Sequence, residues 1–391
     1  MEKDKSFRNK ICIICESNFT WFYRDRFNIP FYQKKNIKVE VYNVSKISRP
    51  SYFYLIQNQL NSNQKIITEE NIQNEFEKIK NFPLVLCLIA PLKRSEIIFK
   101  VLEKKGIKYS FIEFGNLPMF IKKSFLEIFF NLLKYPFEAA KQIPRFFLEK
   151  KIEINPTNIF YSGNKNLTEL RKKFSKSQLI DVPTFDYDKF IISQRENKNR
   201  FNEKTSGAVY LSSYHKHTDV LTMKRFPPDK PYTEAQYYNP ITKFLKTFVS
   251  ITDLDINIAQ HPKQIENKNF YNYGKLHKGK TFELVKDSKF IIVQDSTAIN
   301  FAVMFYKPIL FITSDNFTER HIRWINLLAK YFKKKPFNVT KESFTKARYN
   351  LENKVDHKIY DKFIADYISC KKSNLTSYEI IFKNILSKHA N

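Results

Sequence analysis

Unbroken apolar runs at residues 11–15 and 83–90 mark strands in the first part of the chain, and 37–44 and 109–114 predict two more. A strand with no apolar–polar alternation is covered on both faces, as strands of parallel sheets are. Between these runs, residues 20–34, 71–81 and 95–105 carry helical periodicity, the last closed by Gly106. Residues 158–161 predict one further strand, with Gly163 just beyond it. A second alternating series follows: strands over 207–212, 256–260, 290–294 and 308–313, and helices over 233–248, 281–286 and 296–305. From 317 onward the pattern is mostly helical and rich in Lys.

Strands alternating with helices predict an α/β chain of two Rossmann-like, doubly wound domains. The expected boundaries are an N-terminal domain over 1–175, a polar linker over 176–205, and a C-terminal domain over 206–391 with a helical tail. No internal repeat is visible. Residues 120–152 stand apart, rich in Phe, Leu and Lys and broken by Pro136 and Pro144. Their apolar residues recur at helical spacing, which fits either surface helices or a basic amphipathic segment on anionic lipid.

Composition narrows the chemistry. The 391 residues include 67 Lys and Arg against 39 Asp and Glu, a formal charge of +28. Such an excess favours anionic partners, although the accompanying Asn, Ile and Phe also fit an AT-rich coding bias. Basic residues are spread along the chain, and no helix-turn-helix, RRM or zinc signature appears, so nucleic acid is not the expected partner. With six glycines, GxGxxG cannot be written, which excludes the dinucleotide fingerprint. A P-loop pattern occurs once, from Gly274 to Thr281, but a polar stretch precedes it where a buried strand is needed. Cys12 and Cys15 form a CxxC inside an apolar strand, with no second pair to complete a zinc site. The chain opens almost directly into that strand, and no apolar run approaches the roughly 20 residues of a spanning helix. The expectation is a cytoplasmic protein.

The most specific stretch runs from 256 to 313. His261-Pro262 ends one strand, Gly279-Lys280-Thr281 opens a helix, and Gln294-Asp295-Ser296-Thr297 follows another strand. Ligands of open parallel sheets sit beyond the carboxyl ends of strands. A helix start there offers free N–H groups and a positive dipole end to a phosphate. Tyr214-His215-Lys216-His217-Thr218-Asp219 follows the first strand of the second series, and Ser213, His215, Lys216 and Asp219 are candidate substrate contacts. The H-x-H pair lacks an evident third ligand. Asp219 and Glu234 are secondary acid candidates. Asp186-x-Asp188 and Asp253-x-Asp255 satisfy D-x-D but fit chance in an acid-containing chain.

This constellation resembles the C-terminal domain of bacterial GT-B glycosyltransferases with cytidine-nucleotide donors, the sialyltransferase-like and capsule or surface-carbohydrate transferases. His261-Pro262 is similar to their HP motif and Ser296-Thr297 to their S-S/T motif. Glu113-Phe114-Gly115 occupies the place of their acidic motif, with Phe where a second acid is usual. The stretch 261–313 also resembles CDP-glycerol glycerophosphotransferases. The resemblance implies a GT-B fold with two domains facing a cleft, and an inverting transfer of a CMP-activated sialic or other nonulosonic acid, or Kdo, to a lipooligosaccharide or capsule acceptor. Glu113 would be the general base and Gly115 would let the acceptor approach. His261, Pro262, Lys280, Thr281, Ser296 and Thr297 would hold the donor phosphate, with His261 assisting departure of CMP. No metal or other cofactor is implied, and the partners would be the donor, a glycan or lipid-linked acceptor, and the anionic inner face of the inner membrane. The alternatives are a CDP-glycerol-type polyol-phosphate transferase and a non-catalytic nucleotide- or nucleic-acid-binding protein.

Overall fold

The computed structural model describes residues 9–114, 117–118, 147–196, 207–213, 233–262, 264 and 268–386. Seven parallel strands form the first sheet: β1 (Lys10–Cys15), β2 (Lys38–Asn43), β3 (Gln64–Ile66), β4 (Leu84–Leu88), β5 (Ser110–Glu113), β6 (Asn158–Tyr161) and β7 (Gln178–Asp181). Their order is β3-β2-β1-β4-β5-β6-β7. Six parallel strands form the second: β8 (Ala208–Leu211), β9 (Ile256–Ala259), β10 (Lys275–His277), β11 (Phe290–Val293), β12 (Ile309–Thr313) and β13 (Phe337–Asn338). That order is β10-β9-β8-β11-β12-β13. Each sheet winds outward one way from its first strand and then back the other way, the Rossmann order. The fold class is therefore the expected one, two Rossmann-like doubly wound domains.

The apolar runs account for the central strands. Ile11 to Cys15 of β1 and all four residues of β11 are buried. Cys12 and Cys15 are core residues of β1, and burial pushes the Cys15 thiol up to about 12, which makes it a poor nucleophile or metal ligand. The helical stretch 20–34 is two short helices, Trp21–Arg26 and Ile29–Lys34, separated at Asn28 with φ 44°.

Two expectations about domain limits need correction. The stretch 176–205, expected as a linker, holds β7 and the helix Phe185–Glu196 in its described part. Its polarity misled because β7 is a sheet-edge strand and only its Ile180 is fully buried. The described chain divides into two compact units, and the C-terminal residues from Ser369 belong with the first, while the second is built on Lys189–Ile368. The tail is anchored by Asp188, whose Oδ1 accepts the Ser377 N–H at 2.6 Å and whose Oδ2 meets the Ser377 hydroxyl. Burial pushes the Asp188 carboxyl up to about 7. Asp188 of the Asp186-x-Asp188 pair thus serves the packing of a helix end. Of residues 120–152, only 147–152 fall among the described residues.

Candidate functional site

The second unit has its switch point between β8 and β11, the neighbouring strands where the winding reverses. Leu211 leads into Ser212-Ser213, and Val293 into Gln294-Asp295. Ser213 Oγ donates to Asp295 Oδ1 at 3.3 Å, so the two sides of the crevice are joined. His321 Nε2 lies 3.1 Å from the same carboxylate oxygen. Burial would raise the Asp295 carboxyl, but the facing His321 and the hydrogen bonds outweigh it and hold the group below its ordinary value. An ionised Asp295 places a proton on Nε2 of His321 and leaves Nδ1 as the second ring position.

His321 is placed by local rules. Thr318 caps the helix Glu319–Tyr331, its hydroxyl accepting the His321 N–H at 3.2 Å. The imidazole stacks on Phe317 at 4.7 Å and 20°. Beneath the crevice lies a buried polar floor. Gln294 Nε2 donates to the Tyr210 hydroxyl at 2.8 Å, and the Tyr237 hydroxyl donates to Gln294 Oε1 at 2.8 Å. Ser212 and Tyr271 share a hydrogen bond of 2.9 Å. Such linked groups fix the side chains above them.

His261-Pro262 follows β9 at the same end of the sheet, and the His261 carbonyl accepts the Gln264 N–H at 2.9 Å to form a turn. Ser296 and Thr297 follow Asp295, but they do not open the helix directly. That helix is Ile299–Met304, and Ser296 Oγ accepts the Ala298 N–H at 3.3 Å in the turn before it. The expected start at 296 is corrected: the short polar residues stabilise a turn in preference to helix.

Lys280 and Thr281 stand at the start of the helix Thr281–Asp287, after β10, the edge strand two positions from β8. The P-loop pattern does not form a phosphate loop. Lys275–His277 within it is β10 itself, paired with Asn257 to Ala259 of β9, and His277 Nε2 meets Asn257 Oδ1 at 2.8 Å. Glu234 is the first residue of the helix Glu234–Thr252, Asp253 is its left-handed C-cap, and the Asp255 carbonyl accepts the Ala208 N–H at 2.7 Å. Gly115, His215, Lys216 and Asp219 lie outside the described residues.

In the first unit, Glu113 ends β5 and is half-buried. Burial raises its carboxyl, against the pull of Lys173 and Lys151. The crevice of this sheet, between β1 and β4, holds a pair that pattern reading missed. Arg94 donates from Nη1 to Glu16 Oε2 at 2.7 Å and from Nη2 to Glu16 Oε1 at 3.2 Å. Its Nη1 also reaches the Ser48 carbonyl at 3.1 Å, and Nε lies 3.3 Å from Glu149. A two-pronged pair of this kind is rigid and specific in direction.

No protein-family model and no curated protein sequence matches the chain. Among solved structures, it is similar to UDP-GlcNAc 2-epimerase from Neisseria meningitidis bound to UDP-GlcNAc, at 13% identity, covering 97% of this chain and 100% of that one, with TM-score 0.46. It is similar to the Methanocaldococcus jannaschii UDP-GlcNAc 2-epimerase in complex with UDP-GlcNAc and UDP, at 11% identity, 91% and 98% coverage and TM-score 0.46. MurG from Acinetobacter baumannii is similar at 9% identity, 97% and 99% coverage and TM-score 0.43. The fold assignment itself rests on the two strand orders.

Proposed function

We propose that the chain is an inverting glycosyltransferase that binds a nucleotide-activated sugar in the switch-point crevice of its second unit. The observation that carries this reading is the Ser213–Asp295–His321 linkage at the carboxyl ends of β8 and β11. That is where doubly wound sheets take their ligands, and here it presents fixed polar groups on a hydrogen-bonded floor. The His261-Pro262 turn lies at the neighbouring strand end. In this reading a CMP-activated acidic sugar is the donor and a surface glycan the acceptor. Glu113 takes the proton of the acceptor hydroxyl, the oxygen bonds to the anomeric carbon, and the carbon–oxygen bond to phosphate breaks. CMP departs with the electron pair, its charge met by His261.

A thermal-shift panel of CMP, CDP, UDP, GDP and ATP tests the site. CMP should raise the melting temperature most, and Asp295→Asn should abolish the shift. His261→Ala removes a hydrogen bond to a charged phosphate, about 1.5–3 kcal/mol, so CMP binding should weaken roughly 10- to 100-fold. Equal shifts from every nucleotide would overturn the cytidine assignment. No shift from any would overturn the site.

Transfer activity should survive EDTA, since His261 and Lys280 carry the phosphate charge in this reading. Loss of activity with EDTA, restored by Mg²⁺ or Mn²⁺, would remove that part of the mechanism.

A further inference from the structure

Two helices of the first unit leave large apolar side chains uncovered. Trp21 on Trp21–Arg26 is 48% exposed, and Tyr54 and Leu55 on Pro50–Ile56 are 60% and 59% exposed. The opposite side of the second helix is spent on the core through Phe53 and Ile56. The two helices are neighbours: Asn18, just ahead of the first, accepts a place between Tyr52 and Gln59, its backbone N–H 3.4 Å from the Tyr52 hydroxyl and its Nδ2 donating to the Gln59 carbonyl at 2.8 Å.

Cations frame this face. Arg49 lies over the Tyr52 ring at 4.3 Å. Arg24 and Lys46 are exposed. Residues 44–63 contain no acid, and Asp25 is the one acid on the first helix. A Trp and a Tyr with apolar bodies and polar tips, ringed by Arg and Lys, match the headgroup layer of a membrane. Water alone does not reward such exposure.

We propose that this face docks the first unit onto an anionic lipid bilayer, with Trp21, Tyr54 and Leu55 entering the headgroup region and Arg24, Lys46 and Arg49 pairing with lipid phosphates. The surface belongs to the first unit, and the proposal does not depend on the transferase reading.

Trp21 reports directly on it. The chain has two tryptophans, so Trp324→Phe leaves Trp21 as the sole indole. Its emission should shift to the blue with phosphatidylcholine vesicles containing one third phosphatidylglycerol, and should stay unchanged with phosphatidylcholine alone. Added salt should reverse the shift. In co-sedimentation, the triple substitution Trp21→Ser, Tyr54→Ser, Leu55→Ser should weaken binding about tenfold or more. Its circular-dichroism melt should match the parent, because all three side chains are already exposed. Unchanged Trp21 emission would overturn the proposal. So would wild-type binding by the triple variant, with loss of binding instead on replacing Lys122, Lys123, Lys134 and Lys141 by Glu. A face that serves a second copy would show itself as a dimer by light scattering that the triple variant abolishes, with no vesicle binding.

Discussion

Glu113→Gln should lower turnover by about 10²–10⁴-fold, the usual contribution of a general base. The amide keeps the size and hydrogen-bonding capacity of the side chain but cannot take the proton. Nucleotide affinity should hold, because the crevice residues Ser213, Asp295 and His321 belong to the second unit. The pH profile gives an independent check. A base works only when ionised, and burial raises the Glu113 carboxyl, so rate should climb with pH along a limb lying above the ordinary carboxylate range. That limb should vanish in the variant. Near-normal turnover would assign the base elsewhere, with Asp219 and Glu234 next in line.

Gly207→Ala should destabilise the protein by about 3 kcal/mol. Gly207 has φ +69°, and a Cβ there would sit 2.5 Å from the Asp255 carbonyl oxygen. That oxygen is held by the Ala208 N–H at 2.7 Å, so it cannot retreat without breaking the β8–β9 ladder at its first rung. For a domain of this size each kcal/mol moves the melting temperature by about 2–4 °C, which a thermal melt followed by circular dichroism resolves. An unchanged melt would mean that the start of β8 can shift freely.

The sequence shows the central strands plainly, because β1, β4, β11 and β12 are covered on both faces and must be apolar throughout. It hides β3, β7, β10 and β13, short strands at or near the sheet edges where half the residues meet water. Strand ends are legible for the same reason, so Ser213, His261 and the Asp295 loop were in view. His321 was not. A lone His in a helix carries no signal until tertiary packing brings it to Asp295, although the Thr318 cap three residues earlier marks its helix start. Glu16 and Arg94 were hidden likewise, since nothing in their spacing announces a pair 78 residues apart. The motif at Gly274 to Thr281 shows the opposite error: its letters fit a phosphate loop, but Gly274 serves a close approach to the Ile256 carbonyl, 3.0 Å from where its Cβ would be.

The Asp188–Ser377 anchor also has a consequence for synthesis. Its partners are 189 positions apart, and the stretch Lys189–Ile368 of the second unit lies between them. Domains emerging from the ribosome generally fold in order, the N-terminal one first. Here the second unit has all its strands once Asn338 has emerged, while the first still lacks the helix Ser377–Ile381 that caps onto Asp188. The unit that begins translation is therefore the last to be completed, and it waits with its Asp188 carboxylate unpartnered for the length of an entire domain.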